Sequence, residues 1–407
     1  MELHESVDKG APITSGDRVS ELDVLRGFAL LGVLIVNFTD IMAPPFLVTE
    51  SQYELLVASP ADSTAKFIIH WLAYDKANTL FAFLFGMGFW VQMQRLEAKG
   101  IDFSAIYRRR LTILLCFGLM HMFVLFPNDI LTVYATAGFI LFFLRERSPR
   151  FFLIAGLMLA VFGRPFIEYL FDAAGVTGPA AAISYSDTAI LARQTASAPL
   201  ELLRLQADHA LYGWFATGFF VSWISYALGR FLLGAYVARK GWIQNSAELQ
   251  PQFRTCLLIC LPIGLAGQFL STSIALGIYG DLSSLTWLEK PVHFVSLLLM
   301  LAGYVSLIVV LFHSLARPLV MIFAPVGRMA LTNYVAQSVI FGLIAYQAWP
   351  GFGLAGVAGP AEILSYAVPA FIFQIILSHL WLRVFAFGPL EWCWRALTYR
   401  TLPKFKK

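Results

Sequence analysis

Charge is scarce in this chain: Asp, Glu, Lys and Arg make up 13% of its 407 residues, about half the ~25% of an ordinary soluble domain. Its four cysteines, Cys116, Cys256, Cys260 and Cys393, lie in or beside apolar segments and form no CxxC pair. That pattern gives no ground for a disulfide framework or a cysteine-based metal site. There is no P-loop, no GxSxG elbow, no HExxH helix and no dinucleotide fingerprint, so the corresponding enzyme classes lack their phosphate cradle, nucleophile turn or zinc pair. The basic residues do not gather into a patch with interleaved aromatics, which argues against nucleic-acid binding. The first 22 residues are polar and mixed in charge, without a cleavable-signal layout, so the first apolar segment is expected to persist in the mature protein.

What the chain has instead is apolar length. Hydrophobic residues make up 58% of it, in repeated stretches close to the ~20 residues that cross a bilayer. A chain of this kind satisfies its backbone inside lipid by folding into helices. The expectation is an all-α, polytopic transmembrane helix bundle with ten spans, near 24–43, 67–93, 111–127, 130–144, 151–171, 211–237, 255–279, 292–315, 327–348 and 362–386. Four regions follow: a cytoplasmic tail over 1–23, an N-terminal membrane half over 24–238, a C-terminal half over 239–386 and an interfacial amphipathic tail over 387–407. Segment 172–210 reads as a polar connection or a lid over an outer cavity.

Lys and Arg set the orientation. With the N-terminus inside, 21 of the 29 fall on the cytoplasmic side. Only Lys66, Arg193, Arg204 and Lys290 fall outside, a strong positive-inside bias. Both termini are then cytoplasmic. Lys76, Arg164, Arg230 and Arg383 remain inside or at the edges of spans, where a charge is expected to face protein or water. Arg230 and Arg383 lie near cytoplasmic ends and can snorkel. Lys76 follows Asp75 directly, so the pair reads either as a buried structural ion pair or as a binding site. Gly86 and Gly88 follow and permit close helix approach.

The opening run Leu22-Asp23-Val24-Leu25-Arg26-Gly27 places an acid and a guanidinium one helical turn apart at the mouth of the first span, where they can pair. Asn37 and Asp40 lie further along the same span. His121 sits in the outer half of the third span, and Asp129 follows eight residues later, past Pro127. Eight residues of straight helix cover ~12 Å, so these two meet only if the chain bends. A carboxylate that orients imidazole makes it a base for an attacking hydroxyl or amine. His121 is therefore the first candidate and His70, near the outer start of the second span, the next. Asn37, Asp40, His70, His121 and Asp129 are expected to line one outward-opening cavity. In GRMALTNYVAQS, Asn333 and Gln337 form a polar stripe on the ninth span.

LDVLRGFALLGVLIVN, TLFAFLFGMGF, GLMH…NDILTVYATAG, GRMALTNYVAQS and FGPLEWCWRALTY, in this order, resemble the motifs of the bacterial YeiB-type membrane proteins, whose C-terminal half is the domain of unknown function 418. The opening run also resembles that of membrane-embedded acyltransferases of the heparan-glucosaminide N-acetyltransferase kind. That second resemblance implies transfer of an acyl group from cytoplasmic acyl-CoA to a hydroxyl or amine of an extracytoplasmic glycan, lipid or cell-envelope acceptor. It implies a histidine in the reaction, His121 or His70, with Asp129 beside the former. Asp23, Arg26, Asn37, Asp40, Lys76, Asn333 and Gln337 would contact substrate, and Arg108, Arg109 and Arg110 would meet the donor phosphates. No metal is implied. The expected place is the bacterial inner membrane, among lipids, with a homo-oligomer open. The rival reading is a transporter or lipid flippase with Lys76 and Asp75 in its pathway.

Overall fold

The computed structural model describes residues 19–277, 283–348 and 351–407, apart from the side chains of residues 40, 41 and 283. The described residues are helical with no strand, only an isolated bridge between Phe385 and Lys406. The helices run in the order α1 (Ser20–Ile41), α2 (Glu50–Leu56), α3 (Pro60–Leu72), α4 (Lys76–Ala98), α5 (Phe103–Val124), α6 (Ile130–Leu144), α7 (Pro149–Met158), α8 (Arg164–Ala173), α9 (Thr177–Ser184) and α10 (Asp187–Thr195). They continue as α11 (Pro199–Asp208), α12 (Phe219–Arg239), α13 (Gln250–Leu276), α14 (Thr286–Phe312), α15 (Arg317–Met321), α16 (Ala324–Arg328), α17 (Ala330–Ala345), α18 (Pro360–Val384) and α19 (Pro389–Tyr399). Two wider π-turns, Leu159–Gly163 and His209–Ala216, join α7 to α8 and lead from α11 towards α12.

Helix starts follow local chemistry. Ser59, Asp102, Asp129, Ser148 and Ser186 each cap an N-terminus with a side-chain oxygen, and Pro60 and Pro149 fill first positions, where the missing N–H costs nothing. Thr49 and Gln52 form a reciprocal capping box on α2.

Six described helices are long and apolar enough to cross a membrane, seven if α15–α17, bent by 82°, is one broken span. This is a membrane protein. Each of the ten expected spans contains a helix, but length and apolarity do not qualify them all. The 15 residues of α6 reach only ~22 Å, while α4 and α5 carry Arg95 and the Arg108–Arg110 run. The expected span 67–93 is two helices: α3 stops at Leu72, and α4 restarts after Asp75, whose φ is 60°. Segment 172–210 is not an irregular polar loop but the short helices α9, α10 and α11. They lie over the turn after α1, where Arg193 Nη2 donates to Phe46 O at 2.9 Å.

Lipid tails are as apolar as leucine, so helix association in a membrane rests on close contact rather than on escape from water. The crossing of α4 with α12 shows this. A Cβ on Gly86 would lie 2.1 Å from Phe231 O, and one on Gly234 would lie 1.9 Å from Phe83 O. Around that crossing lies one apolar core, with Phe89, Tyr134 and Phe231 inside it. A second core joins the later half of α1 to α17 and α18 through Phe38, Phe341 and Phe371. Between the two cores lie the cavities.

Candidate functional site

The turn between α5 and α6 brings His121 and Asp129 together. Leu125 N and Phe126 N both donate to His121 O, at 2.8 and 2.9 Å, which closes α5 tightly before Pro127 reverses the chain. Asp129 then caps α6, its Oδ2 accepting from Thr132 N and Thr132 Oγ1, each at 2.6 Å. Its Oδ1 lies 2.8 Å from His121 Nδ1, and His121 Nε2 lies 2.8 Å from Ser338 Oγ on α17. A carboxylate only accepts, so Nδ1 is the donor to it, and a neutral ring then accepts the Ser338 hydroxyl proton at Nε2. Gly118 makes the approach possible: a Cβ there would sit 2.5 Å from Thr132 N and 2.8 Å from Asp129 Oδ2. His121 is 4% exposed and Asp129 fully buried, and neither lines either of the two cavities described below.

Asn128, one residue earlier, makes a second chain. Its Oδ1 accepts from His209 Nε2 at 3.1 Å, and His209 Nδ1 lies 2.7 Å from Ser184 Oγ on α9. The short helices over 177–208 are thereby tied to the same turn.

Two cavities approach each other through the bundle. One, of about 820 Å³, opens towards the C-terminal end of α1 and the N-terminal end of α4. Asn37, His70, Asp75, Asn78, Arg164 and Glu168 supply polar groups to it, and Tyr185 belongs to its cover. The other, of about 260 Å³, opens at the opposite ends of the same two helices and is lined by Asp23, Arg26 and Arg95 among others. Val33, Asn78, Ile130 and Tyr334 belong to both and form the floor between them. Tyr334 also packs its ring against His121, with centroids 5.1 Å apart.

His70 differs from the other two histidines in what its ring meets. It stacks on Tyr74 at 4.7 Å, and neither ring nitrogen has a hydrogen-bond partner among the described residues. The side chains of Asn37 and Asn78 likewise face the cavities with their amides unengaged among those residues.

The remaining expected site residues divide. Arg26 Nη1 pairs with Asp23 Oδ1 at 3.1 Å. Lys76 and Asp75 form no direct ion pair among the described residues: Lys76 Nζ donates to His70 O at 2.7 Å, while Asp75 faces His293 at 3.0 Å and Arg164 at 3.8 Å. Asn333 and Gln337 line neither main cavity. Asn333 donates to Val326 O and Ser378 Oγ, and Gln337 donates to Leu30 O and Gln374 Oε1, a ladder that binds α17 to α18 and α1. The side chain of Asp40 lies outside the described residues. Of the three arginines on α5 only Arg110 reaches a cavity; Arg109 donates to Thr398 O, and Arg108 is exposed. Arg230 does not snorkel: it is fully buried, with its plane 3.5 Å from the Tyr226 ring. Gly86 packs helices, whereas Gly88 leaves room for Arg26 Nη2, 3.0 Å from where a Cβ would stand. Among the described residues no group of three or more His, Cys, Asp or Glu side chains is placed to hold a metal.

Ser338, Asn128 and His209 were not singled out by sequence. Only the i, i+4 spacing of Tyr334 and Ser338 hinted that both share the inner face of α17.

Residues 237–401 match the family described as a protein of unknown function, DUF418. The chain is 33% identical to the uncharacterized protein YxaH of Bacillus subtilis over 401 residues, covering 95% of this chain and 96% of that one. It is 29% identical to the uncharacterized protein YeiB of Escherichia coli, covering 94% and 97% of the two chains. On identity at that level along nearly the whole length, the chain belongs to the YeiB-type DUF418 family of membrane proteins.

Proposed function

We propose that this protein is a multi-pass acyltransferase of the bacterial inner membrane, with His70 as the reacting histidine. The reading rests on one observation: two cavities enter from opposite ends of α1 and α4 and share Asn78 in their lining, and the larger one also presents His70 and Asn37, all three with side chains unengaged among the described residues. With the N-terminus inside, the orientation that the positive-inside bias supports, the arginine-lined cavity faces the cytoplasm, where acyl-CoA is available. The larger cavity then receives an envelope glycan or lipid bearing a hydroxyl or amine.

In this mechanism a ring nitrogen of His70 accepts the proton of the acceptor hydroxyl or amine as that group attacks the thioester carbonyl. The Nδ2–H groups of Asn37 and Asn78 are of the type that steadies the developing oxyanion. Collapse breaks the carbon–sulfur bond, the thiolate takes the proton back from His70, and an ester or amide remains. His121 ranks behind His70 in this reading because both of its ring nitrogens are bonded and it lines neither of the two cavities.

The test is transfer of a radiolabelled acetyl group from acetyl-CoA to an envelope extract by the protein in nanodiscs. H70A is expected to lower the rate at least 10²-fold at unchanged melting temperature. Full activity in H70A, or loss only in a folded H121A protein, overturns the assignment. A transporter would instead move solute with no acylated product, and direct engagement of Asp75 by His293 and Arg164 argues against its expected coupling pair.

A further inference from the structure

We propose that the arginine-lined cavity is a site for a ligand bearing several phosphate groups, and that α19 forms one wall of it. Arg26 from α1, Arg95 from α4, Arg110 from α5, Arg328 from α16 and Arg395 from α19 all line this cavity. Their only acidic companions in the lining are Asp23 and Glu391. Both of those are engaged: Asp23 holds Arg26, while Glu391 Oε1 accepts from Leu331 N at 2.7 Å and Thr332 N at 3.0 Å.

Five guanidinium groups from five helices converge on one cavity against two carboxylates. Charge inside a membrane protein is costly, and replacing it with apolar side chains is often neutral or stabilising. Arginine is the residue suited to planar, bidentate phosphate recognition. Arg110 is the clearest case. Its guanidinium lies 3.7 Å from the Trp394 ring, opens into the cavity, and has no hydrogen-bond acceptor among the described residues.

Helix α19 is built in rather than resting on the surface. Trp394 Nε1 donates to Arg110 O at 3.0 Å, Gln92 Nε2 to Tyr399 OH at 3.3 Å, and Arg109 Nη1 to Thr398 O at 2.7 Å. Its amphipathic tail is therefore part of a site and not only an interfacial anchor. Deeper in, Leu30, Phe81, Phe85 and Leu114 line the way to the floor. The ligand thus has a phosphate end at the arginines and an apolar end pointing towards Tyr334. Coenzyme A thioesters have that shape, an identification that rests on the acyl-transfer reading; an anionic two-phosphate lipid supplies the same chemistry.

The experiment is equilibrium binding to the full-length protein in zwitterionic nanodiscs, with radiolabelled free coenzyme A, pyrophosphate as competitor, and cardiolipin added to the discs in a separate arm. Free coenzyme A carries no acyl group, so failure of transfer leaves this test untouched. Expected are saturable binding, competition by pyrophosphate, and a loss of at least tenfold in affinity in both R95Q and R395Q, with partial recovery in R395K. Cardiolipin displacing coenzyme A from the wild type but not binding R395Q supports the phosphate site and names a lipid as its source. No saturable binding of coenzyme A or cardiolipin, or binding unchanged in folded R95Q and R395Q, overturns the proposal.

Discussion

Asn128 and Asp129 are neighbours in the chain, yet each engages a different histidine. Asp129 takes His121 and, through it, Ser338 on α17; Asn128 takes His209 and, through it, Ser184 on α9. One tight turn thus clamps the broken helix behind the cavity floor and the helices that cover the larger cavity.

Removing the clamp is expected to cost stability. D129A leaves His121 Nδ1 and Thr132 N without an acceptor in a buried site, a loss of about 3 kcal/mol. S338A removes one bond and costs ~1 kcal/mol. Melting temperatures in detergent should rank wild type, then S338A, then D129A. An S338A protein as unstable as D129A would show that Ser338 carries more than this bond.

Arg230 should be replaceable. It is wholly buried and donates to Thr79 Oγ1 and Tyr226 O, but its Nη2 has no partner. An apolar side chain of similar volume avoids the buried charge and is often neutral or stabilising. R230M is expected to melt no lower than wild type, whereas R230A leaves a void and melts lower. A sharp loss in R230M would mean that the charge itself is needed.

Glu391 ties the tail to the bundle. Burial pushes its carboxyl upward from the usual range, against the pull of its Thr332 and Leu331 donors. E391A leaves the first N–H groups of α17 unsatisfied, and limited proteolysis should then cut within α19 more quickly than in wild type. E391Q keeps an acceptor and should be intermediate. Equal cutting of all three would show that Trp394 and Arg109 hold α19 unaided.

Asp75 stands in the left-handed region at φ 60°, which asparagine and glycine tolerate far better than alanine. D75G and D75N should therefore retain more thermal stability than D75A. Equal losses in all three would put the stabilisation in the His293 and Arg164 contacts instead of the backbone.

Hydropathy carried the helical class plainly, because spans have a length that lipid imposes. The break at Asp75 was hidden, since nothing local marks a left-handed aspartate as it would a glycine. The helices over 177–208 were obscured by their polarity, although Ser186 and Pro199 are helix-start residues. His121 and Asp129 were legible together because one turn separates them. Ser338 was not, lying 217 positions from His121, and the openness of the His70 ring exists only once α3 and α1 face a common cavity.

The floor of Val33, Asn78, Ile130 and Tyr334 is shared by both cavities, so these four side chains decide how far the two spaces communicate. Trimming Tyr334 is expected to widen that junction, and an ion leak would show in the growth of cells expressing Y334A before it showed in the stability of the purified protein.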